Sequence, residues 1–234
     1  MKLINLFMQK IRVLIVDDAV VVRSRLSKLL SADPEIEVVG VAATGRIALA
    51  KLSQVYPDVV ILDVEMPDLN GLETLAELRK THSQLPVIMF SALTYAGATA
   101  TLDALTLGAS DYATKPSNLG NVEAANRHIQ STLIPKIKAL SAKATIAQPL
   151  PAIASLPPQK TIIAPSNLAK IELIAIGVST GGPNALMVLL SQLPPNFPVP
   201  IAIVQHMPPM FTKLLAERLN AKCLKGKESH GDEP

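Results

Sequence analysis

The sequence is poor in cysteine and in aromatic residues. Its 234 residues include one cysteine and no tryptophan, and aromatic residues make up 3% of the total. A single cysteine excludes an internal disulfide and fits a reducing cytoplasm, where we expect the protein to act. The scarcity of aromatic rings leaves no stacking platform for single-stranded nucleic acid. A net charge of +3 is also too small to indicate a nucleic-acid partner.

Long hydrophobic runs are also missing. A membrane-spanning helix needs about 18 consecutive apolar residues, whereas the apolar run at 59–62 is short and lies between two aspartates. Residues 1–8 are too few for a secretory signal. Hydrophobic residues nevertheless make up 49% of the chain, which is enough for a packed core. We therefore expect a folded protein that does not insert into a membrane.

Short β-branched runs alternate with stretches of helical periodicity over residues 11–140. This alternation predicts an α/β domain with a doubly wound parallel sheet. Pro135 is expected to kink or break its last helix. Residues 141–170 are rich in proline and alanine and predict a semi-extended linker. A strand predicted at 171–176 opens residues 171–234, the amino-terminal part of a second doubly wound α/β domain that should leave apolar surface exposed.

Acidic, hydroxyl and lysine side chains follow the predicted strands of the first domain. Ligands bind beyond the carboxyl ends of parallel strands, so we expect these side chains to meet. Carboxylates there can bind Mg²⁺ or attack phosphorus, and a lysine can pair with phosphoryl oxygens. Each residue alone could equally be a turn former or a helix cap, but their convergence predicts a phosphate-accepting site. The residues are Asp17, Asp18, Asp63, Ser91 and Lys115.

A second candidate site lies in the second domain. The segment 177–181, Gly-Val-Ser-Thr-Gly, matches the G-x-S-x-G nucleophile elbow between a predicted strand and a predicted helix. His206 follows the next predicted strand, where it can act as general base to Ser179. Two other interpretations remain open. The segment could be a phosphate cradle at a helix start, although it lacks the Walker lysine, or an ordinary tight turn with His206 packed in the interior.

Four segments of the first domain resemble a response-regulator receiver domain. They are Val-Asp-Asp at 16–18, Leu-Asp-Val-Glu-Met-Pro-Asp-Leu-Asn-Gly at 62–71, Phe-Ser-Ala-Leu at 90–93 and Asp-Tyr-Ala-Thr-Lys-Pro at 111–116. The resemblance implies a flavodoxin-like fold that a histidine kinase phosphorylates in the presence of Mg²⁺.

The same resemblance assigns a role to each site residue. It implies that Asp63 is the phosphoacceptor, and that Mg²⁺ is bound by Asp18, Asp63 and the main-chain carbonyl of Glu65, with Asp17 in support. It also implies that Ser91 is the switch hydroxyl, Lys115 the phosphate partner and Tyr112 a rotating aromatic residue coupled to Ser91.

The second domain resembles the catalytic domain of the CheB family of chemotaxis methylesterases. The matching segments are Ile-Gly-Val-Ser-Thr-Gly-Gly-Pro at 176–183, Val-Gln-His-Met-Pro at 204–208 and Phe-Thr at 211–212. The resemblance implies hydrolysis of glutamate methyl esters, and deamidation of certain glutamines, on methyl-accepting chemoreceptors. Ser179 would be the nucleophile and His206 the base, with Thr180 beside the site. The unphosphorylated receiver would cover the catalytic face.

The two resemblances leave two functional hypotheses. In the first, the protein is a phosphorylation-regulated methylesterase and glutaminase. The resemblance places the family's catalytic aspartate beyond Pro234, so this chain alone is expected to be weak or inactive. In the second, the chain is a receiver that acts as a phosphate sink or docking module without catalysis. Methanol release from methylated receptors would separate the two hypotheses.

Overall fold

A five-stranded parallel sheet forms the first unit of the protein. The computed structural model describes residues 10–116, 121–146, 171–194 and 196–228. The strands lie in the order β2-β1-β3-β4-β5, and each neighbouring pair is parallel. Their bounds are β1 Ile11–Val16, β2 Ile36–Ala42, β3 Val59–Asp63, β4 Val87–Ser91 and β5 Asp111–Thr114. This is the flavodoxin-like order, and it confirms the predicted doubly wound parallel sheet.

Helices cover both faces of this sheet. They are α1 Val20–Ser31, α2 Gly45–Val55, α3 Gly71–Thr81, α4 Tyr95–Thr106 and α5 Val122–Ile146. Successive strand residues point to opposite faces, so Leu14 joins the core beneath α2, α3 and α4, and Ile15 joins the core beneath α1 and α5. Burial on both sides explains why the central strands are almost continuously apolar.

The last helix of the first unit runs through Pro135 without ending. Of the kink or break expected at this proline, the break is wrong, because α5 continues to Ile146. Leu133 and Ile137, on either side of the proline, are both fully buried against the sheet. Their packing holds the helix together despite the hydrogen bond that proline removes. The helix also extends into the stretch 141–170 that we predicted as a linker, and residues 147–170 lie outside the described residues.

The second unit has a two-stranded parallel sheet. Its elements are β6 Ile174–Val178, α6 Gly182–Gln192, β7 Ile201–Gln205 and α7 Pro209–Glu228. Phe211 and Leu186 are buried in the same apolar cluster as the α2–α4 face of the first unit. Other apolar side chains stay exposed as expected, including Val204 at 73% and Leu173 at 58%. No helix within the described ranges is both long and apolar enough to cross a membrane.

Candidate functional site

Three aspartates meet at the carboxyl edge of the five-stranded sheet. One carboxylate oxygen each from Asp17, Asp18 and Asp63 lies within 4.8 Å of the others. Asp17 and Asp18 follow β1 and Asp63 ends β3, and these strands are direct neighbours. Asp17 and Asp63 are buried, whereas Asp18 is exposed. Hard oxygen donors open to solvent on one side fit a hydrated Mg²⁺ ion.

Main-chain hydrogen bonds hold the loop after β1 in place. The Asp17 amide donates to the Ala42 oxygen at 3.1 Å, and the Asp17 Oδ1 atom accepts from the Ala19 amide at 2.9 Å. The Arg23 guanidinium donates to the main-chain oxygens of Asp17 and Asp18 at 2.6 and 2.7 Å. These bonds fix the main chain at both acidic residues, and none of them involves the Asp18 carboxylate.

The helix α3 starts directly against Asp63. A Cβ at position 71 would collide with the Asp63 main-chain oxygen, so only glycine fits at this helix start. Asn70 precedes it and forms a capping box with Glu73, with bonds of 2.9 and 3.0 Å. Glu65 places its amide 3.4 Å from the Asp63 Oδ1 atom, which it donates to. The Asn-Gly pair therefore shapes the loop on which Glu65 lies.

Lys115 neutralises part of the buried charge. Its ammonium group lies 2.9 Å from the Asp17 carboxylate and 2.8 Å from the Asp63 carboxylate. The Lys115 amide donates to the Ser91 main-chain oxygen at 2.7 Å, which fixes the lysine beside the end of β4. The structure thus brings Lys115 and the aspartates together, as the sequence predicted.

The pKa values of Asp63 and Lys115 reflect this incomplete pairing of charges. Burial raises the pKa of Asp63 to about 6, against the lowering effect of Lys115, and the nearby Asp17 charge raises it further. Burial alone would lower the pKa of Lys115, but its hydrogen bonds to Asp17 and Asp63 raise the pKa above its usual value. The lysine therefore stays charged, while Asp63 holds its proton more readily than an ordinary aspartate.

Ser91 lies at the end of the next strand, β4. Its side chain is buried, and its hydroxyl donates to the Ala92 main-chain oxygen at 3.2 Å. A Cβ at Gly97 would approach the Ser91 hydroxyl to 2.7 Å, so glycine there leaves room for the hydroxyl. Because its hydrogen bond is to a neighbouring residue, the Ser91 hydroxyl can turn to a new acceptor.

Tyr112 lies between the two units. Its ring stacks on Phe211 with a centroid distance of 4.8 Å and an interplanar angle of 9°. The Lys136 ammonium lies 5.3 Å from the Tyr112 ring centroid and pairs with Asp111 at 2.7 Å. Burial, together with the Asp111 charge, raises the pKa of the Tyr112 phenol. The resemblance coupled Tyr112 to Ser91, but the contacts with Phe211 and Lys136 could not be predicted because both residues are distant from Tyr112 along the chain.

Polar side chains add to the contact between the units. The Arg218 guanidinium on α7 donates to the Thr99 oxygen at 3.1 Å and lies 2.7 Å from the Asp103 carboxylate on α4. The Asn184 amide on α6 donates to the Ala109 oxygen at 2.8 Å. Neither residue could be recognised from the sequence, since a single arginine or asparagine on a helix carries no motif.

The predicted serine and histidine also come together. The Ser179 hydroxyl lies 3.5 Å from the His206 Nδ1 atom, and both side chains are exposed. The His206 amide donates to the Val178 oxygen at 3.0 Å and joins the ends of β6 and β7. Thr180 follows the serine and is half-buried. Gly181 has a φ of 69°, a left-handed conformation that favours glycine and turns the chain into α6.

The cleft beside His206 is shared by both units. It is lined by His206 and Met207 of the second unit and by Tyr112, Thr114 and Lys136 of the first. One wall of the cleft beside His206 is therefore built by β5 and α5. Among the described residues, no carboxylate lies within 4 Å of the His206 ring nitrogens.

Two families of domains match the chain. Residues 13–127 match the response regulator receiver domain, and residues 174–226 match the CheB methylesterase. Receiver domains generally bind Mg²⁺ through acidic residues, and the aspartate cluster is of that kind.

Curated proteins are similar to this chain over both matched parts. A protein-glutamate methylesterase/protein-glutamine glutaminase of Trichodesmium erythraeum is 55% identical over 92% of this chain and 62% of its own length. One from a Nocardioides species is 51% identical over 91% of this chain and 59% of its own length. The crystal structure of the response regulator domain of Thermotoga maritima CheB is 38% identical, with a TM-score of 0.51, and 98% of it is covered by 57% of this chain. The chain thus spans about three fifths of the length of these curated relatives.

Magnesium affinity is expected to rise with pH through about 6. Below that pH the buried Asp63 carboxyl holds a proton, and this proton competes with the cation. Isothermal titration calorimetry with MgCl₂ at pH 5 and pH 7.5 measures the change. Asp63→Asn should bind Mg²⁺ weakly at both values. Asp68→Asn is the matched control, because Asp68 is exposed in the same loop with a φ of 66°, which asparagine tolerates. Equal wild-type affinity at both pH values would contradict the prediction.

Proposed function

This chain belongs to the CheB family, with a receiver domain followed by part of a CheB methylesterase domain, and we propose that it is a phosphorylation-regulated hydrolase of glutamate methyl esters on bacterial chemoreceptors. Deamidation of certain receptor glutamines belongs to the same proposal. We place the receiver at 11–140 and the methylesterase part at 171–234, acting in the cytoplasm. The observation that carries the proposal is the 3.5 Å contact between Ser179 and His206 at the end of two parallel strands.

Phosphoryl transfer is assigned to the aspartate cluster. Asp17, Asp18, Asp63 and the Glu65 main-chain carbonyl would hold Mg²⁺, which supplies charge neutralisation at the phosphoryl group. The Asp63 carboxylate attacks the phosphorus of a phosphohistidine on a histidine kinase, and the imidazole leaves. Lys115 exchanges its carboxylate partners for phosphoryl oxygens, and this retains its charge pairing.

The signal reaches the second unit through Ser91 and Tyr112. The Ser91 hydroxyl, released from the Ala92 oxygen, turns to the phosphoryl group. Its movement vacates space beneath β4 and β5 into which the Tyr112 ring rotates. Tyr112 then loses its stack on Phe211, which weakens the contact that closes one wall of the cleft at His206. Phosphorylation thereby shifts the population from closed to open arrangements of the two units.

Ester hydrolysis is assigned to Ser179 and His206. His206 Nδ1 faces the serine hydroxyl and takes its proton as the oxygen attacks the ester carbonyl. Amide groups at the start of α6 lie next in the chain and can stabilise the developing oxyanion. The proton returns to the leaving methanol, and water then hydrolyses the acyl enzyme to release the glutamate side chain. An orienting carboxylate contributes a factor of about 10⁴ to the rate of a serine hydrolase, and no such contact to His206 exists among the described residues.

Acyl-phosphate formation is the first test of the receiver assignment. Wild-type protein mixed with acetyl phosphate and Mg²⁺ should gain one phosphoryl group that hydroxylamine removes, since acyl phosphates react with this nucleophile. Asp63→Asn should gain none, and Asp68→Asn should react like the wild type because its carboxylate is exposed and outside the cluster. Intact-mass spectrometry measures the product. A persisting phosphoryl group on Asp63→Asn would reject Asp63 as the phosphoacceptor.

Methanol release is the test of catalysis. Ser179→Ala should reduce methanol release from methylated receptor membranes by at least about 10³-fold, because the nucleophile is lost. Ser191→Ala is a matched control, since Ser191 is an exposed serine on α6 that bonds only its own helix. Gas chromatography of methanol measures the rate. Equal release by Ser179→Ala and the wild type would reject the nucleophile, and no release by any protein would favour the phosphate-sink or docking hypothesis.

The contact between the units should loosen on phosphorylation. Arg218→Ala removes a partly exposed ion pair and should raise amide exchange in α4 and α7 by no more than about fivefold. Acetyl phosphate with Mg²⁺ should raise exchange in the same helices of the wild type and not of Asp63→Asn. Lys213→Ala, at an exposed position on α7, is the control. Hydrogen–deuterium exchange read by mass spectrometry tests this, and unchanged exchange on phosphorylation would contradict it.

A further inference from the structure

Gln205 bonds the peptide units of both the proposed nucleophile and the proposed base. Its Nε2 atom donates to the Ser179 main-chain oxygen at 3.2 Å and to the His206 main-chain oxygen at 3.3 Å. The residue ends β7 and pairs with Val178, the last residue of β6. Its amide therefore spans the gap between the two strand ends from which Ser179 and His206 project.

The orientation of the Gln205 amide follows from its surroundings. An NH₂ group has two donors for the two carbonyl oxygens, whereas the reverse orientation would set Oε1 against both of them. The Oε1 atom is instead buried and accepts no hydrogen bond from the described residues. It lies against Gly182 at the start of α6, where the positive end of the helix dipole favours an oxygen.

Gly182 makes room for this amide. A Cβ at position 182 would collide with Oε1 of Gln205 and approach the Val178 Cβ to 2.9 Å. The Gly182 amide also donates to the Ser179 oxygen at 2.9 Å, so that oxygen accepts two hydrogen bonds. Gly182, which directly follows the motif, is thus required by packing, whereas Gly181 is required by its left-handed backbone.

We infer that Gln205 is a positioning residue of the serine site, which acts through Ser179 and His206 and not on the substrate. The inference rests on the proposed function, in which these two residues are nucleophile and base. Their contact of 3.5 Å lies at the outer limit of a hydrogen bond. A small shift of either peptide unit would break it, and one amide bonded to both units restricts that shift.

The test compares Gln205→Met with the wild type in covalent labelling of Ser179. Methionine keeps the length of the side chain and removes both donors. The probe is a fluorophosphonate ester: the serine oxygen attacks phosphorus, fluoride leaves, and His206 takes the proton. We expect the maximal labelling rate to fall about tenfold, as for the loss of ordinary hydrogen bonds. The half-saturating probe concentration should not change, and the melting temperature should fall by only a few degrees. A merely structural role would lower the labelled fraction and leave the maximal labelling rate of the folded protein unchanged.

Two further variants keep the test decisive. Gln192→Met removes an exposed amide at the end of α6 and should be labelled at the wild-type rate. Gln205→Glu is nearly isosteric and also lacks both donors when ionised, so it should show the same fall if the methionine variant does not fold. A folded Gln205 variant labelled as fast as the wild type would overturn the inference.

Failure of the proposed function gives a different result, namely folded wild-type protein that is not labelled at Ser179. The ring-nitrogen chemical shifts of His206 then decide the inference. A change in Gln205→Met that is absent in Gln192→Met would show that the amide positions the pair. Identical His206 shifts in all three proteins would overturn it.

Discussion

Parallel pairing of strands is the constraint on which both candidate sites depend. Neighbouring parallel strands run in the same direction, so the residues that follow them gather at one edge of the sheet. In the five-stranded sheet this places Asp17, after β1, beside Asp63 at the end of β3. In the two-stranded sheet it joins the ends of β6 and β7, where the His206 amide bonds the Val178 oxygen. One backbone geometry therefore assembles an acid cluster and a serine–histidine pair from residues far apart in sequence.

The acid cluster is short of positive charge, and this shortage suits it to bind a cation. Asp17 and Asp63 are 1% and 2% exposed, and among the described residues Lys115 is the one cation that pairs with them. Buried charges are costly unless they are paired, and the site responds by raising the pKa of Asp63. In the proposed mechanism a divalent cation would restore this balance, and Lys115 would then be able to pair with a phosphoryl group.

The parallel sheet and the position of both candidate sites at strand ends could be predicted from the sequence. Continuous apolar strands and the polar residues that follow them are both visible within short segments. The sequence placed β6 at 171–176, whereas the strand runs over Ile174–Val178, since the apolar lead-in resembles the strand itself. It also indicated a kink or break at Pro135, and the break does not occur because burial of Leu133 and Ile137 sustains the helix. The contacts of Phe211 and Gln205 could not be predicted, because they depend on how separate elements pack and leave no periodic pattern.

The position of Phe211 supports the proposed coupling between Tyr112 and His206. Phe211 lies in the first turn of α7, directly after the segment that carries His206 and Met207. Its ring is fully buried beneath Tyr112, whereas the Arg218 ion pair is partly exposed and contributes at most about 1 kcal/mol. The closed arrangement thus rests mainly on apolar packing around one aromatic stack. An aromatic stack contributes about 0.5–1.5 kcal/mol beyond the burial of its rings, so in the proposed mechanism a Tyr112 rotation that removes the stack would lower the closed population by roughly two- to tenfold.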